Sequence, residues 1–207
     1  MKEKISNKSI NYIIIFTLLV VFIFTSSSYA ANTKSKNVLI IHSYDRGFTW
    51  TDNIDDGIRK FFKQSNITID TQTEYLDSKR ISSPDYLNKT YQFFKYKYKD
   101  TSFDLIMASD NDALEFLFAY RDQLFPNTPV VFNGVFNLNQ YSFVNKDYYT
   151  GVTETINAKD TIELILKLHP QTKNIVAILD NTTTGTIMKD FIKNAMANII
   201  NPTSLIT

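Results

Sequence analysis

The sequence predicts an α/β fold: a parallel sheet flanked by helices, followed by a second α/β lobe that is incomplete. Three observations predict it. Short apolar runs rich in β-branched residues alternate through residues 37–207 with stretches of helical periodicity, the pattern of strands joined by right-handed crossovers. The runs Val38–Ile41 and Phe103–Ala108 are almost wholly apolar, as strands buried on both faces must be. Residues 37–150 suffice for a four- or five-stranded unit, whereas residues 155–207 supply two helices and a strand or two, too little surface to be stable alone. The expected division is residues 1–30, a first lobe over 37–150, and a hinge crossing with a partial second lobe over 151–207.

Residues 1–30 stand apart. Lys2, Lys4 and Lys8 precede an almost wholly apolar run from Ile10 to Phe24, and Ser28-Tyr29-Ala30 offers small residues where a signal peptidase reads them. The run is short for a membrane span, which needs about 20 residues. The segment is therefore read as a secretory signal peptide, with an uncleaved anchor as the alternative. No cysteine follows it, which excludes a lipoprotein anchor. Its removal takes three lysines and one glutamate, so the net charge falls from +1 to −1. The working compartment expected is the periplasm or extracellular face, with membrane anchoring if the parent is longer.

In the remaining chain, Val38–Ile41 begins the sheet. A helix follows from Thr51 or Asp52 to about Gln64, with Ile54, Ile58, Phe61 and Phe62 at helical spacing and Asp52, Asp55 and Asp56 at its positive end. Alternation from Ile67 to Leu76 marks a second strand. Ser82-Ser83-Pro84 opens a second helix, with Leu87, Tyr91, Phe94 and Tyr98 along its apolar stripe and the neighbouring lysines mostly on a solvated face. After Phe103–Ala108, Ser109 and Asp112 fit a capping box for a helix reaching Leu124. Pro129–Phe132 is a fourth strand closed by Asn133-Gly134, and residues 135–149 read as irregular. Gly151–Glu154 is extended. A helix from Asn157 or Lys159 reaches Leu168, a strand spans Asn174–Leu179, and a helix runs from about Thr186 to Asn198. Pro202 breaks the chain, and Ser204–Ile206 starts one more strand.

Several function classes fall away. A net charge of +1 provides no basic face to displace counterions, so no nucleic-acid partner is expected. The absence of cysteine excludes disulfides, thiolate nucleophiles and Cys-based metal sites, and two histidines, His42 and His169, are too few for a His-rich zinc site. No Walker loop and no G-x-S-x-G elbow occurs. His42, Ser43 and Asp45 are too close in sequence to assemble a triad among themselves. No cofactor, metal or catalytic residue is expected.

Open α/β sheets bind ligands beyond the carboxyl ends of their strands, where the strand order reverses. For a 2-1-3-4 order, that point is flanked by His42-Ser43-Tyr44-Asp45 and Ser109-Asp110-Asn111-Asp112, with Asn133-Gly134 as a third wall. Such a crevice offers apolar contact area with a few placed polar groups. Each feature has a plainer reading. Ser109 and Asp110 can serve as caps, Trp50 can cover a core edge, and His42 can be a satisfied structural histidine. Thr182, Thr183, Thr184 and Gly185 precede a helix, so they either cap it or hold a carboxylate or phosphate on free amides.

Together, "NVLIIHSYDRGFTWTDNIDDGI", "EYLDSKR", "FDLIMASDNDALEFL", "TPVVFNGV", "GVTETI" and "LKLHPQTKNIVAILDNTTTG" resemble the periplasmic substrate-binding domains of the ABC-transporter type, which have the type 1 periplasmic binding protein fold with flavodoxin-like lobes. More narrowly they resemble the version at the front of bacterial sensor histidine kinases. The resemblance covers about Asn37 to Ala197. It implies two lobes joined by a hinge around a small ligand. It places Ser43, Tyr44 and Trp50 on the first wall, Ser109, Asn111 and Asp112 beside them, and Asn133 and Gly134 near the crossing. Gly151–Glu154 matches the crossing segment, with Glu154 counted among the ligand residues. Asp180, Thr183, Thr184 and Gly185 match the second-lobe wall. The family's second lobe needs roughly another hundred residues, so the chain is expected to be the front part of a longer protein.

The functional expectation is an extracytoplasmic small-molecule-binding domain, the ligand-sensing part of a sensor histidine kinase or related signalling protein. The alternative is a stand-alone ABC-transporter substrate-binding protein, and behind it a secreted hydrolase. The partners expected are an anionic or amino-acid-like small molecule and a membrane signalling or permease component.

Overall fold

Five strands form one all-parallel sheet in the order β2-β1-β3-β4-β5: β1 (Lys36–His42), β2 (Ile69–Tyr75), β3 (Leu105–Ser109), β4 (Val130–Phe136) and β5 (Tyr149–Glu154). The computed structural model describes residues 35–141, 146–197, 199 and 204–206; the segment read as a signal peptide lies outside them, as does Pro202. Helices α1 (Thr49–Gln64), α2 (Pro84–Lys97) and α3 (Asp110–Leu124) follow β1, β2 and β3. Short 3-10 turns at Leu138–Gln140 and Lys146–Tyr148 lie between β4 and β5. Next come α4 (Ala158–Leu168), β6 (Asn174–Val176), α5 (Thr183–Ala197) and β7 (Ser204–Ile206), with β6 and β7 pairing in parallel as a separate two-stranded sheet.

The chain order reverses between β1 and β3, where the sequence places the crevice. His42 pairs level with Ser109, and Ser109 level with Asn133, so the ends of β1, β3 and β4 stand side by side. Gly151–Glu154 lies in the fifth strand, paired with β4. The sheet's main core packs Leu39, Ile41, Ile106 and Val130 against Phe94, Phe116 and Leu117 of the helices. Aromatic edges tighten it, with Phe94 and Phe116 T-shaped at 5.4 Å and Tyr98 and Phe103 at 5.2 Å. A smaller cluster of Ala158, Ile162, Leu166 and Ala195 joins α4 to α5.

Several local expectations change, each for a physical reason. α1 starts at Thr49, ahead of Thr51, and the Asp52 carboxylate instead accepts a hydrogen bond from the Gly47 amide at 3.0 Å, closing the preceding loop. The capping box at α3 does not form: the Ser109 hydroxyl has no hydrogen-bond partner, and the Ala113 amide donates to Ser43 Oγ at 2.8 Å. Ser43, just past the end of the neighbouring strand β1, thus caps this helix. Asn133-Gly134 does not end β4. It is the site of a register shift against β5, and with Gly134 at φ +67° the strand resumes through Phe136. β6 stops at Val176, and α5 begins at Thr183, about a turn earlier than its apolar spacing suggested. α2 begins as expected, with Ser83 Oγ accepting from the Tyr86 amide at 3.2 Å and Pro84 in the first turn.

Candidate functional site

Beyond the ends of β1 and β3 lies a cavity of about 220 Å³. Tyr44, Phe48 and Trp50 form its aromatic side, continued by Phe136 from the end of β4. Lys79, Asp110 and Glu154 bring charge. Thr184 and Met188, one turn apart on α5, close it from the C-terminal segment. All of these residues belong to one compact unit, Ser35–Thr207.

Two contacts tie the sheet side to the C-terminal side. Tyr44 Oη and Thr184 Oγ1 are 2.8 Å apart. Lys79 Nζ pairs with Asp180 Oδ2 at 2.7 Å and stands 4.7 Å from the Tyr44 ring centre and 5.1 Å from that of Phe48, a cation over aromatic faces. Tyr44 and Phe48 meet edge to face at 5.5 Å. Burial pushes the Tyr44 phenol well above its ordinary range, with Asp110 as a further contributor, so it stays a neutral hydroxyl.

Asp110 is the strained member. It has φ +68°, a left-handed conformation rare outside glycine, and it is only 4% exposed. Its Oδ1 accepts from Trp50 Nε1 at 3.0 Å, while Oδ2 has no hydrogen-bond partner. Burial pushes its carboxyl up to about 7; the Trp50 bond opposes this, and the charges of Glu154 and Asp112 add to it. Gly134 lies against this carboxylate, where a Cβ would stand 2.9 Å from Asp110 Oδ1. Burial also raises the Glu154 carboxyl.

The residues singled out from sequence divide in two. Tyr44, Trp50, Glu154 and Thr184 line the cavity. Ser43, Ser109 and Asn111 are buried in its support. The Ser43 hydroxyl donates to the Ser109 carbonyl at 2.7 Å while accepting from Ala113, so both its valences are used. Asn111 accepts from the Phe136 amide at 3.1 Å and donates to its carbonyl at 2.9 Å, which fixes the backbone of a wall residue. Asp112 receives the Ser78 hydroxyl at 2.5 Å, and Asn133 lies at the bulge over Gly134. Asp180 holds Lys79, and Gly185 packs so closely on the Asp180 carbonyl that any side chain there would collide. Thr183 borders a shallower hollow shared with Glu115 and Tyr141.

Two amides around the start of α5 have side-chain acceptors. The Thr182 amide donates to Asp180 Oδ1 at 3.3 Å, and the Gly185 amide to Thr182 Oγ1 at 3.1 Å. His42 is fully buried beneath α1, 3.4 Å from Asp55 and stacked on Tyr75, and its burial lowers its pKa. Phe48, Lys79, Asp110, Phe136 and Met188 line the cavity without having been singled out as ligand residues. Thr184 and Met188 share a helix face, a spacing visible in the sequence, whereas Lys79 and Phe136 reach the cavity only through the fold. Among the described residues no cluster of His, Cys, Asp and Glu has metal-binding geometry, and no helix is long and apolar enough to cross a membrane.

No family model and no curated protein matches the chain. Among solved structures, the chain is similar to the ligand-free, open form of CD0873, described as a substrate-binding protein with adhesive properties from Clostridium difficile. The two share 16% identity with a TM-score of 0.48, over 83% of this chain and 56% of the other, so this chain aligns with little more than half of that protein's length.

Proposed function

We propose that the chain is an extracytoplasmic small-molecule-binding domain, acting as the ligand-sensing part of a bacterial sensor histidine kinase or related signalling protein. One observation carries this reading: a cavity at the strand-order reversal whose walls come both from the sheet and from α5, joined by Tyr44–Thr184 and Lys79–Asp180. A ligand seated there touches both sides, so binding favours the arrangement in which they are together. Tyr44, Trp50, Glu154 and Thr184 make contact, while Ser43, Ser109, Asn111 and Gly134 hold the walls. The chemistry is binding and release, since the Ser43 hydroxyl is spent on the scaffold.

A thermal-shift panel of amino acids, organic acids and amines tests it. A ligand at 100 times its Kd adds about 2.7 kcal/mol of stability, and replacing Tyr44 and Thr184 together by Ala removes the response. A silent panel, or a response indifferent to that double change, rejects the cleft. For export, the N-terminus of the protein expressed in a bacterium is expected at Ala31, read by mass spectrometry; an intact Met1 on cytoplasmic protein overturns that part. A stand-alone transporter binding protein uses the same cleft and differs in delivering its ligand to a permease, which uptake assays distinguish.

A further inference from the structure

We infer that the cleft takes a small organic cation, its ammonium group donating to the Asp110 carboxylate and its apolar body lying against Trp50 and Phe136. This rests on the binding role proposed above and names the class of ligand.

The unmet valences of the cavity point one way. Each side-chain donor group in its wall already has a partner: the Trp50 N–H donates to Asp110, one of the Tyr44 and Thr184 hydroxyls donates to the other, and the Lys79 ammonium pairs with Asp180. Not every acceptor does. Asp110 is 96% buried (4% exposed), yet its Oδ2 lacks a partner, and Glu154 forms no ion pair or side-chain hydrogen bond among the described residues. An unsatisfied buried acceptor costs about 1–3 kcal/mol, more when charged. A ligand that brings donors and positive charge removes that cost; one that brings only acceptors adds to it.

The charge balance agrees. Of the three ionisable groups other than tyrosine on the wall, Lys79 pairs with Asp180 outside it, leaving Asp110 and Glu154 without a salt-bridge partner among the described residues. The aromatic walls also suit a cation, because ring faces attract positive charge, and the ammonium of Lys79 already rests over Tyr44 and Phe48. Two of the backbone amides that would attract an anion at the start of α5, those of Thr182 and Gly185, are already taken by Asp180 and Thr182. The volume sets the size. A dry cavity of about 150 Å³ holds benzene, so the 220 Å³ here fits a ring or short chain with one polar head.

Trp50 is the only tryptophan, so its emission reports this cleft alone. The probes are benzylamine, benzyl alcohol and benzoate, matched in shape and differing in charge, titrated into the full chain near pH 8. Benzylamine is expected to change the emission saturably and to bind at least about tenfold more tightly than benzyl alcohol, with benzoate weakest. Asp110→Asn should erase that preference. Asparagine tolerates a positive φ and keeps an acceptor for Trp50, so the wall should stay in place. Glu154→Gln, at the partly exposed end of β5, should reduce the preference and serves as a second variant less dependent on the core. Benzoate or benzyl alcohol binding as tightly as benzylamine overturns the inference and leaves the binding role standing. A preference for benzylamine undiminished in Asp110→Asn also overturns it. No saturable change with any probe overturns it too, and the binding role then stands or falls on the metabolite panel.

Discussion

Tyr44 Oη and Thr184 Oγ1 lie 2.8 Å apart although 140 residues separate them in the chain. One hydroxyl follows the first strand of the sheet and the other opens α5, so their bond measures whether the two sides are together. Tyr44→Phe should lower stability by about 1 kcal/mol. Combined with Thr184→Val in a double-mutant cycle followed by urea denaturation, the two changes should be sub-additive, because either alone removes the same bond. Additive losses would show that the hydroxyls do not interact in solution.

Asp110 gives a pH signature. Its folded value of about 7 lies above the ordinary 3.8, so between those values the folded chain holds a proton that the unfolded chain has lost. Stability from this residue is therefore present at low pH and falls by about 1.4 kcal/mol per pH unit through that window. Asp110→Asn should stabilise the empty chain more at pH 8 than at pH 5, read as the difference in urea midpoint between variant and parent. An equal difference at both values would mean that the carboxyl titrates normally.

Ser43 makes the opposite case. Its hydroxyl caps α3 and binds the Ser109 carbonyl, both in the interior. Ser43→Ala should cost about 1–3 kcal/mol by taking the side-chain acceptor from the buried Ala113 amide and one of two bonds from the Ser109 carbonyl, which keeps the Ser43 amide. Ligand response measured well below the new melting temperature should remain. Loss of binding with unchanged stability would instead make Ser43 a contact residue.

Gly134→Ala tests the bulge. The added methyl meets Asp110 Oδ1 at 2.9 Å, and φ +67° disfavours any side chain. A loss of about 1–2 kcal/mol is expected from the backbone alone, together with altered Trp50 emission as the carboxylate is displaced. Unchanged emission would mean that the Trp50–Asp110 bond is independent of the bulge.

Lys79→Met retains most of the apolar stem and removes the charge. Lys79 is the first cause holding the Asp180 carboxyl below its usual range. The variant should let that value rise, as followed by NMR titration. A static Asp180 would show that Thr182 alone sets it.

How much of this was legible in the sequence follows from what each signal measures. β1 and β3 were visible because strands covered on both faces must be apolar at every position, and Leu39, Ile40, Ile41 and Ile106 are fully buried. Asn133-Gly134 looked like a strand end because a turn and a bulge make the same demand, a residue free to take positive φ. Tyr44 and Trp50 were within reach because they follow the end of β1 directly. Asp110 flanks the expected crevice in the sequence, but an acidic residue at a helix start is equally explained as a cap, so the sequence alone does not mark it as a contact. Only the fold shows that its oxygen Oδ1 meets Trp50 and that the other stays unpaired. Lys79 and Phe136 carry no local signal, since one comes from the loop after β2 and the other from beyond the bulge.

β5 is bonded to β4 alone, on one side and with a break in register, whereas β1 has a neighbour on each side. Glu154, the last residue of β5, and Tyr44, just past the end of β1, line the same small space. On the proposed binding role, the Tyr44 side is expected to be the fixed jaw and the Glu154 side the one that yields. Guests of different girth should be accommodated by displacing the Glu154 jaw while the aromatic jaw keeps its shape.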